Sequence, residues 1–123
     1  SPAVQEWVNT PKEFLMSLYR FKSRETGDLV MLKPDGQRIL DVLGKDPSGP
    51  GIIEPGQMAA AVQALREAAA AEEAEQRRLK AEAEARGEVP PEFDQVSLRM
   101  RSAPFIEMLQ RCEAAKVEIV WGV

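Results

Sequence analysis

Cys112 is the one thiol of the chain, and histidine is absent altogether. A cysteine nucleophile needs a neighbouring base or cationic surroundings to hold it as thiolate. Cys112 shares a helical face with Phe105 and Leu109, which makes it a core thiol rather than a catalytic one. Carboxylates can also do acid–base work or hold a hard cation. Asp28, Asp35, Asp46 and Glu54 fall in or beside turns, but no spacing ties two of them together and no EF-hand pattern is present. The stretch Asp46-Pro-Ser-Gly-Pro-Gly51 lacks the Lys-Ser/Thr ending of a phosphate loop, and its prolines remove the amides such a loop needs. The residue types therefore predict no catalytic group, no metal site and no cofactor.

Two groups of side chains remain as contact candidates. Arg99 and Arg101 open a helix, and with Trp121 they could receive an anionic metabolite or an acidic partner. The competing reading pairs each arginine with a carboxylate of this chain and places Trp121 in the core. Glu72, Glu73, Arg77 and Arg78 form the second group, on a long charged helix that could dock a partner.

The elements that carry these residues follow from periodicity. Tyr19 and Phe21 alternate with Arg20 and Lys22, the pattern of a half-buried strand. A turn at Arg24–Asp28 leads into Leu29–Leu32, completing a hairpin. Gln37–Leu43 reads as a short helix, with Asp35 as its cap and Gly44 as its stop. The rigid Asp46–Gly51 connection ends at the apolar pair Ile52 and Ile53. A helix from about Gly56 to Arg86 then spans roughly 45 Å. Met58, Val62 and Leu65 give it a core face, whereas beyond Ala68 Leu79 is its only large apolar side chain. Alanine propensity and the pairs Glu73–Arg77, Glu75–Arg78 and Glu82–Arg86 support that distal half. A third helix covers about Ser97–Lys116, with a kink or restart at Pro104 capped by Ser102. Ile119, Trp121 and Val123 share one face of a closing strand.

This order, β-β-α-α-α-β, predicts an α+β fold. A small three-stranded, mainly antiparallel sheet is covered on one face by two long helices and one short helix. Residues 1–15, with a capping box at Thr10-Pro-Lys-Glu13, read as an N-terminal extension, native or added. Residues 16–123 read as a single domain with an overhanging charged helix at about 66–87.

Composition narrows the partners. The chain of 123 residues carries a net charge of −4, which argues against a dedicated nucleic-acid binder. No apolar stretch approaches the length of a membrane span. Ser1–Trp7 lacks the pattern of a secretory leader, and the single cysteine suits a reducing, cytoplasmic setting.

The segments Met16-Ser-Leu-Tyr-Arg-Phe-Lys-Ser, Gly27-Asp28 before Val30-Met-Leu, Gly51-Ile-Ile-Glu-Pro, Val96-Ser-Leu-Arg-Met-Arg and Ile119-Val-Trp-Gly-Val occur here in order. In this the chain resembles a small bacterial family, domain-of-unknown-function family eighteen-forty, from Met16 to Val123. The resemblance implies a cytoplasmic protein of similar size and brings no activity, cofactor or substrate. The leading expectation is a non-enzymatic module for protein–protein contact or self-association, such as a homodimer. It would dock through the helical arm or an open sheet edge. The alternative is a binder of an anionic metabolite.

Overall fold

The computed structural model describes residues 18–93 and 96–123. The reading of residues 1–15 lies outside the described residues. Strand β1 (Leu18–Ser23) and strand β2 (Gly27–Leu32) form the expected hairpin, in register from Leu18↔Leu32 to Ser23↔Gly27. Gly27 closes the turn at φ +75°, a conformation that a side chain disfavours. Helix α1 (Lys33–Val42) follows β2 without a loop. It starts four residues earlier than the sequence predicts because Pro34 suits the first turn, where no amide hydrogen is needed. Asp35 is therefore inside the helix rather than capping it.

The sheet has four strands in the order β2-β1-β4-β3, with every pairing antiparallel. This corrects the three-stranded expectation. The missed strand is β3 (Gly51–Ile53), in the segment read as a connection and an apolar pair. Three residues are too few to display an alternating pattern, and β3 is defined by its partner. That partner is β4 (Ile119–Trp121), which pairs Ile52 with Val120 and Ile53 with Ile119. On its other side β4 pairs Trp121 with Phe21 of β1.

Registers fix the two faces. Tyr19, Phe21, Leu29, Met31, Ile53, Ile119 and Trp121 point inward, and Leu18, Arg20, Lys22, Val30, Leu32, Ile52 and Val120 point outward. The three helices cover only the inner face. Phe21 is fully buried there, with its ring centroid 4.7 Å from that of Phe105 and 6.0 Å from that of Trp121.

Helix α2 (Pro55–Ala85) is 31 residues long, about 46 Å at 1.5 Å per residue. The Glu54 amide donates to Gln57 Oε1 at 3.0 Å, tying down the helix start. Met58, Ala61, Val62, Leu65 and Ala69 are buried along its first half. Gly87 stops it at φ +70°, where the Glu88 amide reaches back to the Ala83 carbonyl at 2.8 Å.

Helix α3 (Leu98–Ala115) packs antiparallel along α2 and runs unbroken through Pro104. No restart occurs at Ser102. Ser97 is the cap, accepting from the Met100 amide at 3.1 Å, while the buried Ser102 hydroxyl donates to the Leu98 carbonyl at 2.7 Å. Pro104 is exposed, so water can satisfy the Met100 carbonyl that its missing amide leaves free.

Candidate functional site

The two arginines at the start of α3 are both engaged by carboxylates. Arg99 donates from Nε and Nη2 to Glu73 Oε2 and Oε1, at 2.9 and 2.8 Å, a two-pronged contact between α3 and α2. These bonds hold the Glu73 carboxyl below the usual range, with charge attraction from Arg99 and Arg77 adding to them. Arg101 Nη1 donates to both oxygens of Asp35, at 3.0 and 2.9 Å, joining α3 to α1. Trp121 is buried, and its Nε1 has no hydrogen-bond partner among the described residues. The indole lies so close over Gly51 that a Cβ at that position would overlap its six-membered ring. The structure therefore places Arg99 and Arg101 in ion pairs at the helix surface and Trp121 inside the core.

Glu72 has the most partners of any residue singled out from the sequence. Its carboxylate accepts from Arg38 of α1 at 2.7 Å, and from Gln76 and the Leu98 amide at 3.3 Å each. It thus ties α1, α2 and the start of α3 together. Arg78 bridges Glu75 and Glu82 on its own helix. Of the three pairs predicted along α2, only Glu75–Arg78 forms as written. Glu73 pairs with Arg99 instead, Glu82 with Arg78, and Arg86 with Glu88 at 3.3 Å. Arg77 has no carboxylate within ion-pair distance among the described residues, and lies beside Phe93 of the returning chain.

Cys112 is fully buried, with its Sγ 3.1 Å from the Ser23 hydroxyl, which accepts its weak hydrogen bond. Among the described residues no group of three or more metal-ligating side chains comes together, and no helix is long and apolar enough to cross a membrane.

Two features escaped the search by residue type. One is the outer sheet face, where Val30, Leu32 and Ile52 are 41, 45 and 42% exposed around a stripe of Arg20 and Lys22. The other is a cleft of about 490 Å³ at the Leu18 end of β1, lined in part by Arg20, Lys22 and Lys33. The alternation of Arg20 and Lys22 on β1 was a visible signal for both. The residues 47–49 and 122–123 that complete the cleft carried none.

The fold defines an α+β protein with a four-stranded antiparallel sheet and helices on one face. A family model described as a domain of unknown function (DUF1840) matches residues 16–121. The chain belongs to that family. No curated protein matches it, and neither does any solved structure.

Proposed function

We propose that this chain is a non-enzymatic module for protein–protein contact, and that its contact surface is the sheet face turned away from the helices. The observation that carries this reading is the exposure of Val30, Leu32 and Ile52 on that one face. An antiparallel sheet with one solvated side ordinarily alternates apolar-in with polar-out. Here Val30 and Leu32 of β2 and Ile52 of β3 put apolar side chains outward on both edge strands, while β1 supplies Arg20 and Lys22 between them and Asp28 of β2 pairs with Arg20. Such a face suits a partner surface that presents apolar side chains around a carboxylate. A second copy of the chain would give a homodimer.

The helical arm supports this reading less well. Glu72, Glu73 and Arg78 are already committed to partners within the chain. Placing a photo-crosslinking amino acid at Val30 tests the surface, with Glu84 near the far end of α2 as the comparison. Protein crosslinks formed from Val30 in whole cells, and lost when Leu32→Asp and Ile52→Asp are added, are the expected result. Equal crosslinking from Glu84, or a pattern unchanged by the two substitutions, overturns it. Sedimentation equilibrium of the purified chain distinguishes self-association from a different partner.

A further inference from the structure

We infer that the cleft at the Leu18 end of β1 binds a small phosphorylated molecule, with the phosphate held by Arg20, Lys22 and Lys33. Its volume of about 490 Å³ lies within the range of small-molecule sites, roughly 300–1,000 Å³. Three cationic side chains line it, and among the described residues no carboxylate side chain does. That concentration of positive charge occurs in a chain whose net charge is −4. Three other clefts that hold an arginine, beside Arg111, Arg24 and Arg77, each hold an acidic side chain as well.

Two of the cations are oriented without being used up. Arg20 gives Nη1 to Asp28 at 3.0 Å, leaving the rest of its five-donor fork. Lys22 Nζ donates to the main-chain oxygen of Val123 at 2.7 Å and keeps two further hydrogens. Lys33 has no hydrogen-bond or ion-pair partner among the described residues. It also opens α1, so the partial positive charge of a ten-residue helix adds to its own. The Pro47–Gly49 loop forms part of the lining and is fixed in place. Tyr19 donates to the Pro47 carbonyl at 2.7 Å, and Ser48 is tied to Asp46 through its amide and hydroxyl at 2.8 and 2.6 Å. Lys33, together with the remaining donors of Arg20 and Lys22, can meet the oxygens of a phosphomonoester, and a guanidinium fork suits a pair of them.

The test is a titration of the full chain with inorganic phosphate and with ribose 5-phosphate at constant ionic strength, read by amide ¹H–¹⁵N spectra. Saturable shifts at Lys33, Gly49 and Gly122 are the expected result, with ribose 5-phosphate binding more tightly than phosphate alone. Lys33→Ala should weaken binding about tenfold, the loss of one charge-assisted hydrogen bond. It should leave the circular dichroism spectrum unchanged. Lys80→Ala, on the arm, should leave binding as it was. Linear shifts without saturation, equal response to acetate, or unchanged affinity in Lys33→Ala would each overturn the assignment. Arg20 and Lys22 also lie on the outer sheet face, so Lys33→Ala is the variant that reads the cleft alone, whereas the crosslinking experiment reads Val30, Leu32 and Ile52.

Discussion

Gly51 shows how one missing side chain fixes a strand. The Trp121 indole lies directly over it, and the aromatic ring occupies the space a methyl group would need. Gly51→Ala therefore forces either the indole or β3 to move. Overpacking of this kind costs about 1–3 kcal/mol, and a rigid tryptophan wedged between β1 and β3 puts this site at the upper end. A lowered midpoint in urea denaturation, together with a red shift in the emission of Trp121, is the expected outcome. Unchanged stability would mean that the indole has room to turn. Gly36, over the Tyr19 ring, is a milder case, since its added Cβ would lie 2.7 Å from Tyr19 Cγ. Neither constraint is legible in the sequence. A glycine announces freedom of the backbone, but what lies above Gly51 depends on the register of a strand 70 positions away.

At the scale of elements, the contacts that align the helices are charged at the surface and apolar beneath. Glu73 carries a depressed pKa because Arg99 donates to it. The unfolded chain therefore takes up its proton first as pH falls. The stabilisation is complete above the ordinary carboxylate range and is lost as pH drops through the lower, folded value. In denaturation midpoints measured from neutral pH into the acid range, the gap between the native chain and Glu73→Gln should close as acid is added. A gap that stays constant would remove the linkage. The helices were legible where periodicity was strong, with α2 read to within a residue at each end and Gly44 and Gly87 correctly placed as stops. Boundaries failed where a second element decides them. Helix α1 starts at Lys33 because the chain leaves β2 directly into Pro34, and α3 passes Pro104 because that position faces water. The outcome of the arginine pair was legible only as one of two alternatives, since partners 26 and 66 residues away are invisible to local spacing.

Across the whole molecule, stability is unevenly distributed along α2. The Glu72 and Glu73 contacts bring the start of α3 alongside α2 at that level. Beyond it, the 12 residues 74–85 extend about 18 Å further, accompanied by the returning chain near Phe93. The buried side chains of α2 are concentrated between Met58 and Ala69, and beyond Ala69 only Ala83 is buried. Local opening follows such differences in packing. Native-state hydrogen exchange should show strongest protection around Val62–Leu65 and a marked fall past Glu73. Uniform protection along all 31 residues would mean that the distal half is held by contacts of equal strength.

The strand order carries a consequence for synthesis. β4 follows the other described strands in sequence, yet it occupies an interior place in the sheet, between β1 and β3. A ribosome making this protein releases the hairpin first and the long helices next, while the slot between β1 and β3 stays empty. During that interval Phe21 and Ile53 have no strand between them, and the inward surface of the half-built sheet is available to chaperones or to other nascent chains. Strand β4, Ile119–Trp121, acts as a keystone. A chain stopped before them should be recognised as incomplete by proteolysis, however well its hairpin and helices have formed.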